Sequence, residues 1–309
     1  MIVLNADDYA MGADIDGAIT SLTDAGRLSA TSIMTNMPQW PATADAVAKR
    51  RSHLALGLHL NLTEGTPLSE AARQALTGAN HEFRPLRDLI VHALLGRLHP
   101  AVIAAEVRAQ LDTFEAALGY LPDFIDGHQH VHVLPGVRDG LFAALRELDW
   151  PAPPLVRTPT NQATGPRDPL SAMPKRAIAG LLAAGFRARL TREGLPTNDT
   201  FAGFSTFHPG STATDELTRA LNANGNGLHL VMCHPATSTS ATTPSDDPLA
   251  QRRIDEFRAL MAMPNLPKRI WHPTRESNGT IDWTRRIKSA GTSPAPSTRD
   301  DRTGEVRSS

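Results

Sequence analysis

From Leu54 to Leu62 every second residue is leucine, and Ala55, Gly57, His59, Asn61 and Thr63 hold the alternate positions. Strict period-two alternation over this length specifies a β-strand, because successive side chains of a strand point to opposite sides. The leucine face has to be covered by another layer. The opposite face carries an imidazole and an amide, which need polar partners wherever they are removed from water. A chain organised around such a strand needs a sheet packed on one side and polar chemistry on the other.

A second run is built the same way. Phe124-Ile-Asp-Gly-His-Gln-His-Val-His-Val133 places Asp126, His128, His130 and His132 at alternate positions, with Ile125, Val131 and Val133 between them. Read as one strand, it has an apolar face and an imidazole-rich face. A metal ion is the commonest partner that satisfies several neutral imidazoles at once. Same-face positions of a strand lie about 7 Å apart, so one ion takes one or two of these histidines and leaves the others to substrate contacts or to holding the ligands.

The N-terminal segment is a short apolar strand, Ile2-Val-Leu-Asn5-Ala, that runs into Asp7-Asp8. Two adjacent carboxylates either open a turn and cap the next helix, or flank a cation that relieves their repulsion. Neighbours on an extended segment point to opposite sides, which would let one act as a ligand and the other as a base.

The remaining pattern alternates strands with helices. Helices are expected at 13–25, 42–51, Ala101–Leu118, Pro135–Leu148, 175–190, 213–224 and 248–262. Ala101–Leu118 is the clearest, with Ile103, Val107, Leu111, Phe114 and Leu118 on one stripe and Gly119 and Pro122 as stops. Strands are expected at 2–6, 30–35, Leu155–Thr158 and Gly227–Cys233, and loops at 158–174 and 236–248. Such an order makes an α/β fold, a mainly parallel, TIM-barrel-like (β/α) barrel with its chemistry at the C-terminal ends of the strands. Residues 1–287 are expected as a single domain. From Lys288 to Ser309 the chain turns to Ser, Thr, Pro, Gly and charges with no apolar period, the composition of a disordered tail.

Of the 309 residues, 40% are hydrophobic and 20% charged, and the formal net charge is −1. That balance describes a globular chain and gives no electrostatic reason to bind nucleic acid or an anionic membrane. No apolar run is long enough to span a bilayer and no leader pattern precedes the first strand, so a cytoplasmic location is expected. A single cysteine, Cys233, excludes an internal disulfide and reads as a small buried side chain.

Five motifs occur in order along residues 1–285: N-A-D-D from Asn5, S-x-M-T-N at Ser32–Asn36, G-L-H-L-N-L-T from Gly57, D-G-H-Q-H-V-H from Asp126 and M-C-H-P from Met232. Together they resemble the YdjC-like carbohydrate deacetylases, which include chitooligosaccharide deacetylases and enzymes assigned to hopanoid biosynthesis. The resemblance implies a distorted (β/α) barrel, one divalent metal ion (Mg or Zn), and hydrolysis of an N-acetyl group on an amino sugar. It also implies Asp8, His59 and His128 as the metal ligands and Asp7 as the base. One departure is visible: the family has Phe-Gly after the paired aspartates, where this chain has Tyr9-Ala10. If that position needs a positive φ, alanine strains the loop.

Amide hydrolysis also needs a proton for the leaving amine, and His234, after the Gly227–Cys233 strand, is the candidate acid. His130, His132, Asn61, Arg157, Trp40 and Phe204 are candidates for binding substrate. The aromatic residues among them, with Phe201 and Phe207, offer stacking surfaces for a sugar. Other readings are a metal-dependent amidohydrolase or phosphoesterase on the same barrel, or a sugar-binding relative without turnover. The oligomeric state stays open, with a homodimer as one arrangement.

Overall fold

The computed structural model describes residues 1–159, 180, 183, 185–204, 211–223, 227–238 and 249–284. The strands are β1 (Ile2–Tyr9), β2 (Ala30–Ile33), β3 (Ala55–Leu60), β4 (Phe124–Gly127), β5 (Leu155–Val156), β6 (Thr200–Ala202) and β7 (His229–Cys233). They form one sheet in the order β5-β4-β3-β2-β1-β7-β6, and every pairing is parallel. Parallel neighbours need a crossover, and helices fill most of them: α1 (Ala13–Asp24), α2 (Trp40–Ala48), α3 (Glu70–Ala75), α4 (Leu86–Leu94), α5 (Pro100–Leu118), α6 (Val137–Arg146), α7 (Phe186–Arg192), α8 (Ala213–Asn222), α9 (Ala250–Ala262) and α10 (Leu266–Arg269). The result is a distorted (β/α) barrel.

Its two edge strands do not pair directly. The segment before β6 bridges the gap: Val156 N–H donates to the Pro196 carbonyl at 2.9 Å, and Thr158 N–H to Asn198 Oδ1 at 2.8 Å. Asn198 Nδ2 donates back to the Thr158 carbonyl at 2.9 Å, so the amide side chain stands in for a missing strand.

Strand alternation sorts the core into an inside and an outside. Leu56, Leu58 and Leu60 of β3 pack outward against helices, with Ile103, Val107, Leu111 and Phe114 of α5 buried in the same layers. Ala55 joins Val3, Ala30, Phe124, Leu155, Phe201 and Leu230 inside the barrel. Gly57 is there because a Cβ at that position would lie 2.4 Å from the Phe124 ring. Above this apolar plug the inward positions turn polar: Asn5, Ser32, His59 and Asp126 are all buried.

Residues 270–284 cross the opposite end of the barrel. Trp271 N–H donates to the Ile2 carbonyl and Trp283 Nε1 to the Asp123 carbonyl, each at 2.7 Å. Arg275 grips both oxygens of Asp123 at 2.6 and 2.8 Å, and the two indoles lie 5.2 Å apart. This strap closes the floor beneath β1 and β4.

Several sequence expectations need correction. The histidine run is not one strand, because β4 stops at Gly127. The sequence pattern leaves out the short edge strand Thr200–Ala202 and the helices α3, α4 and α10. Phe207, the tail from Lys288, and most of the expected loops at 158–174 and 236–248 lie outside the described residues. Among the described residues no helix is long and apolar enough to cross a membrane.

Candidate metal centre

β1 does not run straight through its aspartates. Its register with β2 shifts between Ala6 and Tyr9, and Asp8 takes a φ of 71°. This irregularity cancels the alternation that would have sent Asp7 and Asp8 to opposite sides. Both carboxylates instead approach one atom: Asp8 Oδ1 lies 3.2 Å and Asp7 Oδ2 3.9 Å from His59 Nε2. Two residues later Ala10 has a φ of 75°, so alanine occupies a left-handed position as the Phe-Gly replacement foreshadowed.

The histidine run breaks in the same manner. After Gly127 the chain enters a 3₁₀ turn, His128–Val133, in which Gln129 and His130 adopt φ of 52° and 60°. The turn parts the histidines. His128 faces Asp8, with Nδ1 2.9 Å from Oδ1. His132 folds back against Gly127, where a Cβ would stand 2.7 Å from its Nδ1.

Asp8, His59 and His128 each offer a donor atom within 4.8 Å of the others, and all three are buried. His59 is oriented by its other nitrogen, since Nδ1 lies 2.6 Å from Asp126 Oδ1 and 3.1 Å from Ser32 Oγ. A carboxylate only accepts, so the proton is assigned to Nδ1 and the Nε2 lone pair points at Asp8. Nε2 is buried and makes no hydrogen bond. An imidazole lone pair and a carboxylate oxygen facing each other at 3.2 Å repel unless positive charge, either a second proton on the ring or a cation, lies between them. The donor set therefore fits a divalent cation.

The surrounding charges act in the same sense. Burial opposes ionisation of Asp8, yet Arg253 and His128 hold its carboxyl well below the usual range. Burial likewise opposes ionisation of Asp7, but Arg157, His59 and His234 bring it down to about 2. Burial would lower His59, but Asp126 and Asp7 outweigh it and push the imidazole up to about 10. Each is a site that draws positive charge.

Asp7 is held separately. Arg157 donates to its two oxygens at 2.8 and 2.9 Å, and Asn5 Nδ2 to Oδ1 at 2.6 Å. Asp7, His59 and Asp126 form another close group of donors. There Arg157 already supplies the cation, with Nη1 2.8 Å from Asp7 and 3.0 Å from Asp126.

The substrate candidates divide. His234 Nε2 is 3.9 Å from Asp7 Oδ2, and its side chain is 20% exposed, against 2% for Asp7. His130 packs edge-on against Phe204 at 5.0 Å and Phe201 at 5.7 Å, a partly open aromatic wall beside Arg157. The other four are consumed by the fold. Asn61 is fully buried and staples its own loop, donating to Asn36 and the Glu64 carbonyl and accepting from the Thr63 and Glu64 amides. His132 is buried between Phe186 and the Arg157 carbonyl, 2.8 Å away. Arg157 is spent on carboxylates, and Trp40 stacks on Phe114 in the core.

Asn5, Ser32 and Asp126 were visible inside quoted motifs but were not assigned to the site. Arg253 and Glu256 carried no signal, because charges on an amphipathic helix read as a solvated face. In the structure Arg253 Nη2 donates to Asp8 Oδ2 at 2.7 Å, and Glu256 Oε2 accepts the His234 N–H at 2.7 Å.

The buried carboxylate–imidazole cluster at the mouth of the parallel barrel is a candidate metal centre. Residues 1–264 match the family model described as YdjC-like protein, and the chain belongs to that family. A carbohydrate deacetylase of Homo sapiens is 31% identical over 278 residues, covering 84% of each chain. One from Geobacillus stearothermophilus is 28% identical over 259 residues, covering 84% of this chain and 88% of the relative. A chitooligosaccharide deacetylase of Yersinia enterocolitica is 33% identical over 137 residues, 44% of this chain and 52% of that one. A solved structure from Enterococcus faecalis V583, provisionally described as a cellobiose-phosphate cleavage protein, superposes with a TM-score of 0.62. It covers 91% of this chain and 95% of its own at 18% identity, a likeness of fold.

Proposed function

We propose that this chain is a metal-dependent carbohydrate deacetylase that hydrolyses the N-acetyl group of an amino sugar. The observation that carries the reading is the convergence of Asp8, His59 and His128 on one point beside a second aspartate with partners of its own. The relatives named carbohydrate deacetylase support the substrate class.

A divalent cation held by Asp8, His59 and His128 would supply Lewis acidity toward the acetyl carbonyl and acidify nearby water. Two imidazoles and one carboxylate suit zinc better than magnesium, which prefers an all-oxygen shell. Asp7 takes the proton of the attacking water. Its Oδ2 accepts from Arg157 and keeps a second lone pair on the side shared with His59 and His234. Arg157 and Asn5 fix that carboxylate so that no reorientation is needed during reaction. The water oxygen bonds to the acetyl carbon, the C–N bond breaks, and His234 protonates the departing nitrogen. The products are acetate and the amine. His130 and Phe204 form the wall on which a sugar ring can stack. A two-ion amidohydrolase or phosphoesterase is disfavoured because Arg157 fills the second group of donors.

Acetate release from short N-acetylglucosamine oligomers, measured with metal-free protein and after adding zinc or magnesium, tests the reading. Activity restored by zinc supports it. Equal turnover in rigorously metal-free protein would sink the mechanism, and no release from any acetylated amino sugar would sink the substrate class.

A further inference from the structure

Asp8 spends its two oxygens on opposite sides. Oδ1 faces His59 Nε2 at 3.2 Å and His128 Nδ1 at 2.9 Å. Oδ2 accepts from Arg253 Nη2 at 2.7 Å. Arg253 is only 2% exposed, an unusual place for a guanidinium on an outer helix. Its helix is anchored to α8, since Arg252 bonds Glu216 of α8 at 2.6 Å. The backbone of Asp8 is left-handed, so the strand does not aim this side chain and a partner must.

We propose that Arg253 is a positioning residue for the metal centre, holding Oδ2 so that Asp8 offers a single oxygen to the ion shared with His59 and His128. The proposal rests on the metal reading above. One oxygen and two imidazole nitrogens leave the remaining coordination positions to water and substrate. Without Arg253 the carboxylate would be able to rotate and engage through both oxygens. The same helix holds the His234 backbone through Glu256, three residues further on, so α9 backs both halves of the site.

The test compares wild type, Arg253→Lys and Arg253→Met. Zinc affinity is measured by competition with a chromogenic chelator, and the visible bands of cobalt-loaded protein report ligand geometry. Arg253→Met should bind zinc about 10–100-fold more weakly, the usual loss for an outer-shell partner of a metal ligand, and should shift the cobalt bands. Arg253→Lys keeps the charge but lacks the fork, and should recover part of the affinity. A folded Arg253→Met protein with wild-type or tighter zinc affinity and unchanged cobalt bands overturns the proposal. Should Arg253→Met fail to fold, Arg253→Lys decides: weaker zinc binding supports the proposal and wild-type values overturn it. If wild-type protein binds neither ion, the metal reading fails and this inference with it, an outcome distinct from failure at Arg253 alone.

Discussion

At the scale of single residues, the end of β1 pairs a tolerated distortion with a costly one. Asp8 at φ 71° belongs to a residue type that visits the left-handed region, whereas Ala10 at φ 75° does not. Ala10→Gly should therefore raise stability by about 0.5–1 kcal/mol, the relief of strain less the entropy that glycine adds to the unfolded chain. A thermal midpoint that rises by a few degrees checks this, and an unchanged or lower one shows the loop is not strained. Asp7 and Asp8 should separate cleanly. Asp8→Asn should lose zinc and activity together, while Asp7→Asn should keep zinc and lose turnover by roughly 100-fold or more. Zinc content per chain beside acetate release decides, and the reverse pattern would exchange the two roles. The residue types at these positions were legible in the sequence, but the reason offered for their division was not correct. Alternation was to send the two side chains apart. A left-handed Asp8 brings them together, and Arg157 and Arg253, distant in sequence, distinguish them.

Among elements, α1 and its approach carry a titration that should be visible in stability. Asp16 accepts the Ala10 N–H at 2.6 Å, yet burial, only partly offset by that bond, pushes its carboxyl up to about 7. The folded value exceeds the ordinary 3.8, so the folded state holds the proton more tightly. The contribution is complete at low pH and is lost as pH rises from 3.8 through about 7. Asp16→Asn keeps an oxygen for Ala10, and should gain thermal midpoint relative to wild type as pH is raised across that window. Parallel curves for the two proteins would show that Asp16 does not titrate there. Element patterns were read well where packing alone determines them. The α5 stripe and the leucine face of β3 lie as expected, because a covered apolar face enforces its own period. The Asp126–His132 alternation misled because its polar positions answer to the site. Gln129 and His130 turn left-handed, and no period encodes that.

For the molecule as a whole, the site should not be needed for folding. The buried carboxylates Asp7, Asp8 and Asp126 are matched by Arg157 and Arg253, so removing the ion leaves no carboxylate wholly uncompensated. Chelation should abolish turnover while far-UV circular dichroism persists, and activity should return with zinc. Collapse of the spectrum would mean that the metal is structural. The barrel floor should behave oppositely. Shortening the chain after residue 287 should leave the thermal midpoint within a degree or two, since the tail composition has little apolar surface to bury. Ending it before residue 270 removes Trp271, Trp283 and the Arg275–Asp123 pair, and should unfold the protein or lower the midpoint by more than ten degrees. The barrel was legible from its alternating strands and helices. The strap was not, because it has no period and acts through pairs more than a hundred positions apart, such as Arg275–Asp123 at 152.

The place of β1 governs when the site can come into being. Its strand-mates are β2, made soon afterwards, and β7, made much later, and the Met1 amino group meets the Gly227 carbonyl 226 positions away. During synthesis the two aspartates emerge before these partners and wait beside an open strand edge. Arg157, then His234, then Arg253 arrive in that order. A cation shared by Asp8, His59 and His128 would thus meet its finished surroundings only after Arg253 is made, and a nascent chain that stops before Arg157 carries the paired carboxylates without the two guanidiniums that compensate them, with one edge of β1 unpaired and exposed to misassembly.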